Sequence, residues 1–507
     1  MRFERSAGIL LHPTSLPGRY GIGELGHTAH RLADFLAEGG QSLWQILPLG
    51  PTGYGDSPYA CFSAFAGNPL LLNLEWLASE GDIERAELAS APPFPEGHVD
   101  FGPVIGWRGE LFARAAERFR RHATGERRDA FDRFCAENAD WLDDYALFRA
   151  LKDAHGGAVW NTWDPALAAR EPAALAEARR RLDDAMFLHR YLQYQFFRQW
   201  DDLKRHANAQ GIRIVGDIPI FVAFDSADVW AHPELFLIGD DLKPTVVAGV
   251  PPDYFSKTGQ LWGNPLYRWD AMAADGYAWW VRRFRQTFRT VDIVRLDHFR
   301  GFAAYWEVPA DETTAINGQW VEGPGAALFD ALKAALGDLP IIAEDLGLIT
   351  PDVDALRQQF EFPGMKVLHF AFTTDGTHPY LPHNYGANCI VYTGTHDNDT
   401  TLGWYHTREA KEKAALHRYL GPTAEPVNWS LARLAYASVA DVAIIPLQDA
   451  LGLGGEARMN TPGKPSGNWT WRFREHALTP GLRERLLDLA LTYGRKELPK
   501  PDEAAEP

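Results

Sequence analysis

The chain has 507 residues, 46% apolar and 23% charged, ordinary globular proportions that exclude wholesale disorder. Fifty Lys and Arg against 67 Asp and Glu leave a formal charge of −17, which argues against nucleic acid or an anionic membrane as partner and suits a neutral or cationic ligand. Three scattered cysteines (Cys61, Cys135 and Cys389), an N-terminal apolar run too short for a signal peptide, and no stretch near the roughly 18 apolar residues of a membrane span predict a reduced, cytoplasmic protein.

In chain order, short apolar runs ending in polar, Gly- or Pro-rich loops occupy residues 8–12, 42–48, 213–221, 292–296, 340–343, 366–372, 389–392 and 442–446. Several are nearly continuous in Ile, Val and Leu, the pattern of parallel strands buried on both faces. Helical stretches separate most of them, among them 30–38, 277–288, 326–336 and 350–359. The last opens Thr350-Pro351-Asp352, a cap followed by Pro at the first helical position. Eight strand-then-helix units predict an α/β fold, a (β/α)8 TIM barrel. The excess length marks insertions at about 51–212 after strand two, 223–290 after strand three and 302–338 after strand four. All lie within a single barrel domain over 1–500, with a frayed tail at 501–507.

Trp 18, Tyr 17 and Phe 28 make the chain 12% aromatic, and a large core accounts for most of them. Yet Trp and Tyr recur beside Gly, Pro, Asn and Asp, as in Gly53-Tyr54-Gly55-Asp56-Ser57-Pro58-Tyr59 and Gln260-Leu261-Trp262-Gly263-Asn264-Pro265. Flat rings among polar groups suit a sugar-binding cleft, where they stack on pyranose faces. A competing signal is Gly21-Ile22-Gly23-Glu24-Leu25-Gly26, which matches the dinucleotide fingerprint and would mean a nicotinamide-dependent oxidoreductase. Its context argues against that. Pro13, Pro17 and Gly18-Arg19-Tyr20 separate it from the preceding run, and the next run ends Leu47-Pro48-Leu49-Gly50, with no acid to hold a ribose. A turn and helix start near the barrel mouth is the preferred reading.

Barrel enzymes carry catalytic groups at the C-terminal ends of strands. Strand three ends Gly216-Asp217-Ile218-Pro219, strand four Arg295-Leu296-Asp297-His298-Phe299-Arg300-Gly301, strand five Ala343-Glu344-Asp345-Leu346-Gly347, and strand seven Gly394-Thr395-His396-Asp397-Asn398-Asp399. Any one of these acids, alone, reads equally well as a helix cap or a structural ion pair. Four together point to a site. Arg295 and Asp297, two apart on a strand, share a face, and a guanidinium there favours the ionised nucleophile. Glu344 on the adjacent strand, if kept drier, can be the proton donor, and two such carboxyl groups serve retaining glycoside chemistry. Asp397 with His396 would bind sugar hydroxyls. Parity leaves Glu344 and Asp345 open as the acid. Clustered acids also suit a divalent metal, but no EF-hand-like spacing supports one, so no metal is expected.

These four segments resemble, in order, the barrel motifs of the α-amylase clan, and more specifically the 4-α-glucanotransferase (amylomaltase, or disproportionating-enzyme) family. Ser57-Pro58-Tyr59, Ser63-Ala64-Phe65-Ala66-Gly67-Asn68-Pro69, Gly249-Val250-Pro251-Pro252-Asp253-Tyr254-Phe255 and Met459-Asn460-Thr461-Pro462-Gly463 extend the resemblance to nearly the whole chain. It implies a retaining double displacement on α-1,4-glucans without a cofactor. Asp297 is then the nucleophile and Glu344 the acid/base, which decides against Asp345. Asp397 and His396 hold the distorted sugar, Arg295 keeps Asp297 ionised, and Asp217 supports the site. Tyr59, Asp253 and Trp262 fall in segments resembling glucan-contacting loops, and Ser57 and Asn460 are assigned to substrate binding with them.

The implied partners are maltooligosaccharides, glucans derived from starch or glycogen, and glucose as acceptor, acted on by a monomer or weak homo-oligomer. The chain ends too soon after strand eight for the β-sandwich domain typical of α-amylases. The rivals are an α-glucan hydrolase or debranching enzyme with the same carboxylates, and a catalytically silent glucan-binding protein, which should lack the Asp297/Glu344 pair.

Overall fold

The structure, a computed structural model, describes residues 2–252, 256–347, 349–372 and 376–497. Asp253, assigned to substrate binding, and the expected tail at 501–507 lie outside the described residues.

Eight short strands form one sheet, in chain order Ser6–Leu10, Leu43–Gln45, Arg213–Pro219, Ile293–Asp297, Ile341–Ala343, Gly364–Val367, Cys389–Tyr392 and Val442–Pro446. Every ladder in it is parallel, and each strand pairs with its chain neighbours except five with six, the first also pairing with the eighth. The fold is a (β/α)8 barrel. Strand one is buried at every position, as a strand covered on both faces must be. At Gly8 a Cβ would sit 2.6 Å from Leu43 Cβ, so only glycine lets strand two approach.

The sheet has a seam between strands five and six, where two contacts replace a ladder. The Ala343 N–H donates to the Pro363 carbonyl (2.9 Å), and the Met365 N–H donates to Asp345 Oδ1 (2.6 Å). A Cβ at Gly364 would stand 2.1 Å from Asp345 Oδ2, so glycine there makes room for that carboxylate.

Several strand boundaries differ from the sequence expectation by a few residues, and those of strands two and six do so for local reasons. Strand two stops at Gln45 because the Leu47 N–H turns to His12 Nδ1 (3.3 Å) instead of a ladder partner. Strand six starts at Gly364 and passes at Leu368–Phe370 into a 3-10 turn, so its apolar run mixes two conformations. The expected helices occur as His27–Glu38, Ala278–Thr290, Gly325–Leu336 and Pro351–Gln359. Pro351 does open the last of these, but the Thr350 hydroxyl is not its cap. It accepts from Arg300 Nη1 at 3.0 Å.

Between strands two and three run several helices, the longest being Phe101–His122, Ala139–Ala154 and Asp183–Ala209. The last buries two glutamines six positions apart that stitch it to the main chain after strand two. Gln193 exchanges hydrogen bonds with the Gly67 N–H and C=O, and Gln199 does the same with Asn73. Many of the tryptophans are core. Trp44, Trp200 and Trp230 are fully buried, each with its indole N–H on a main-chain carbonyl, and burying such a side chain is worth about 3 kcal/mol.

A second sheet, antiparallel, comes from the segments after strands three and four. Its order is Gln260–Pro265, Val246–Val250, Ala304–Pro309, Gln319–Glu322. Trp262 therefore sits on an edge strand, not in a loop as its Gly, Asn and Pro neighbours suggested. The Gly21–Gly26 segment is packed against its own chain. A Cβ at Gly23 would meet the Pro13 carbonyl at 1.8 Å, and buried Glu24 pairs with Arg108. The glycines serve close contact before helix His27–Glu38, in line with the turn expected there.

Candidate active site

Strand four delivers Arg295 and Asp297 to the same side, two residues apart. Arg295 Nη1 lies 2.6 Å from Asp217 Oδ2 on strand three and 2.9 Å from Asp297 Oδ1. The exposures order this trio: the side chains of Asp217 and Arg295 are 0% and 4% exposed, whereas Asp297 is 29% exposed. One carboxylate thus sits under the guanidinium and the other faces the opening. Burial alone would lower Arg295, but the Asp217 and Asp297 carboxylates hold it well above the usual guanidinium range. Burial pushes Asp217 up to about 7 against the pull of Arg295. The Tyr59 hydroxyl also donates to Asp217 Oδ2 (2.7 Å), and Ser57 Oγ accepts the Tyr59 N–H (3.2 Å), so the Ser57-Pro58-Tyr59 turn is tied to the base of the site.

Glu344 follows strand five immediately. Its Oε2 accepts the His298 N–H (2.7 Å) and its Oε1 the Leu346 N–H (3.1 Å). The first contact depends on the backbone at His298, which adopts φ 51°, a left-handed conformation uncommon for a side-chain-bearing residue and often seen where function demands it. Burial pushes Glu344 up to about 8, the Asp297 carboxylate adding to the rise and Arg295 opposing it. Asp345, which parity left open as the acid, turns away into the barrel seam and pairs with Arg357 (3.3 Å).

The loop after strand seven carries His396 and Asp397. Asp397 is the most open of these groups, its side chain 45% exposed, with Oδ2 3.4 Å from His396 Nε2 and Oδ1 accepting from Asn460 Nδ2 (2.7 Å). His396 is buried, which pushes its pKa down and keeps it neutral. Its ring stacks on Tyr59 (centroids 5.2 Å), and Trp469 closes on both from 5.8 and 6.1 Å. Trp262 meets His298 edge-on (4.8 Å), bringing the small sheet to the residue next to Asp297.

Asp217, Tyr59, Arg295, Asp297, His396, Asp397 and Asn460 are thus joined through one another, with Glu344 held on the His298 N–H next to Asp297, Ser57 behind Tyr59 and Trp262 at the side. Sequence reasoning passed over Arg458 and Trp469. Arg458 donates to the Asp397 carbonyl (2.7 Å) and the Asn460 carbonyl (2.6 Å), fixing the two segments together. Its place directly before Met459-Asn460 was the available signal. For Trp469 the signal was its setting in Pro465-Ser466-Gly467-Asn468-Trp469, the same Gly, Asn and Pro surroundings as Trp262. Among the described residues no three His, Cys, Asp or Glu side chains gather into a metal-binding group.

A parallel barrel with carboxylates gathered at the C-terminal strand ends and aromatic rings beside them has the layout of a barrel enzyme's active face. The family model described as 4-alpha-glucanotransferase matches residues 11–479. A 4-alpha-glucanotransferase of Thermus thermophilus is 53% identical over 97% of this chain and 99% of its own length. The chloroplastic/amyloplastic 4-alpha-glucanotransferase of Solanum tuberosum is 45% identical over 97% and 86%. Among solved structures, the amylomaltase from Streptococcus agalactiae in complex with acarbose superposes with TM-score 0.94 at 40% identity, covering 97% of this chain and 100% of that one. The chain belongs to the 4-alpha-glucanotransferase family and is an enzyme of that class.

Proposed function

We propose that this enzyme cleaves an α-1,4-glucan and passes the glycosyl segment to the 4-hydroxyl of glucose or a maltooligosaccharide, by double displacement through a covalent glycosyl-Asp297 intermediate. The observation that carries the reading is the contrast between the two carboxyl groups. Asp297 is paired with a guanidinium and open to the cleft, while Glu344 is buried and raised, an arrangement that suits one as nucleophile and the other as proton donor.

In the first step Asp297 Oδ attacks the anomeric carbon as the glycosidic C–O bond breaks, and the Glu344 proton goes to the departing 4-oxygen. In the second, Glu344, now ionised, takes the proton of the acceptor 4-hydroxyl, whose oxygen displaces Asp297. Inversion occurs twice, so the α configuration is retained. Arg295 holds Asp297 in place and accommodates the carboxylate when it is restored. Asp397, fixed by Asn460 and beside neutral His396, hydrogen-bonds the sugar hydroxyls, most strongly as the ring flattens toward the oxocarbenium-like state. Tyr59 and His396 offer stacked rings at the inner end and Trp262 one at the side, surfaces on which a glucan can lie. An acceptor sugar held on such surfaces competes with water through its effective concentration.

The test is the product ladder from pure maltotriose, with glucose quantified. Glucose with maltopentaose and longer chains is expected. Glucose and maltose alone would mean that water takes the intermediate, and the enzyme would then be a hydrolase with the same carboxylates.

A further inference from the structure

Residues 394–400, the loop that carries His396 and Asp397, have no regular secondary structure to hold them. Their two ends are held by one side chain. Asp449 lies on the short helix Leu447–Leu451 that follows strand eight, and it is 2% exposed. Its Oδ2 accepts from the hydroxyls of Thr393, directly before the loop, and Thr401, directly after it (2.7 Å to Thr401). Its Oδ1 accepts the Thr401 N–H (2.7 Å). Since the Thr401 hydroxyl donates to Asp449, it accepts from His369 Nε2 (3.0 Å), and Asn428 Nδ2 fixes the Asp449 carbonyl (2.8 Å). Within the bracket, Asn398 Oδ1 accepts the Thr395 N–H (2.9 Å), and the Asp397 N–H donates to Thr395 Oγ1 (3.3 Å). The loop is therefore a closed unit standing on two feet, and both feet rest on the Asp449 carboxylate.

We propose that Asp449 is a positioning residue for the transfer reaction, acting through Asp397. By fixing Thr393 and Thr401 it sets where the Asp397 carboxylate stands over the sugar ring. Displacing a positioned group by about 1 Å can cost about 100-fold in rate, and three donors converging on one buried carboxylate leave the loop ends no alternative partner of equal strength. The proposal rests on the reading that Asp397 binds the sugar in the transition state.

The experiment is a double-mutant cycle, with kcat/KM followed as fluoride release from α-maltosyl fluoride. Asp449→Asn should lower kcat/KM at least about tenfold in the wild-type background and less than about twofold when Asp397→Asn is already present, because the two act on one contact. An equal loss in both backgrounds, or no loss in the first, overturns the proposal. If Asp449→Asn does not fold, Thr401→Val takes its place in the same cycle, and Thr401→Ser, which keeps the hydroxyl, should restore what Thr401→Val loses. Failure of that rescue overturns the proposal equally. Asp397→Asn alone distinguishes the two levels: if it is fully active, the reading of Asp397 falls, whereas a strong loss there beside an active Asp449→Asn removes only the role of Asp449.

Discussion

At the scale of single residues, the site works by giving like groups unlike surroundings. Asp297 and Glu344 are both carboxylates, yet one stands by a guanidinium and the other is buried against main-chain N–H groups. Asp297→Asn and Glu344→Gln should each lower turnover on maltotriose by about 100-fold or more with the thermal transition retained. An active Asp297→Asn enzyme would remove the nucleophile. The raised Glu344 carries a pH signature. As the acid it must be protonated, so kcat/KM on maltotriose should fall as pH rises through about 8. A glycosyl fluoride needs no proton on its leaving group and should lose this alkaline limb; a limb common to both donors would assign it elsewhere. For stability the sign is fixed by linkage. A carboxyl group that binds its proton more tightly folded than unfolded loses stability on ionising, so the Tm of Glu344→Gln relative to wild type should rise between about pH 4 and about pH 8.

At the scale of elements, the seam between strands five and six is the barrel's thinnest joint, and it lies one residue from Glu344. Asp345→Ala would leave the buried Met365 N–H without its acceptor and take from Arg357 one of its two carboxylate partners, Asp354 remaining, costing about 2 kcal/mol. Thermal unfolding would show this as a lower Tm, and an unchanged Tm would mean that the strands join without it. The small antiparallel sheet is the other element with a task, since its edge strand sets Trp262 against His298. Trp262→Ala should raise the share of glucose released to water over glucose transferred, read from the same maltotriose ladder. A ladder identical to wild type would take Trp262 out of the sugar-binding surface.

At the scale of the molecule, the first strand and the chain's final helices are locked together by Arg495. Its guanidinium donates to the carbonyls of Ser6, Ala435, Tyr436, Ser438, Ala440 and Asp441, which spans strand one, the end of helix Val427–Ala437 and the entry to strand eight. Arg495→Met should cost about 3 kcal/mol and lower Tm by several degrees, while the folded enzyme keeps its turnover at 25 °C. A variant equally stable would place closure of the barrel elsewhere. The formal charge of −17 acts at this scale too, setting a field in which neutral glucans associate without electrostatic help.

Much of this was legible along the chain. Eight short apolar runs, several of them nearly continuous in Ile, Val and Leu and ending in polar, Gly- or Pro-rich loops, specify a parallel barrel because strands buried on both faces leave a local record in residue type. The order of the Asp217, Asp297, Glu344 and Asp397 segments is local in the same way. What the sequence could not determine is whatever depends on which residues meet from far apart. Parity placed Glu344 and Asp345 on opposite faces but did not say which face was the cleft; the resemblance favoured Glu344, and only the meeting of strands five and six shows where Asp345 goes, to a donor twenty positions away at Met365. Trp262 read as a loop residue because its Gly and Pro neighbours mark turns, and only pairing with Val246–Val250 makes it an edge strand. Asp449 left no local trace, and Arg458 only its place before Met459-Asn460. Both act on the loop bearing Asp397 from more than forty positions away, through hydrogen bonds whose partners only the closed barrel brings within 3 Å.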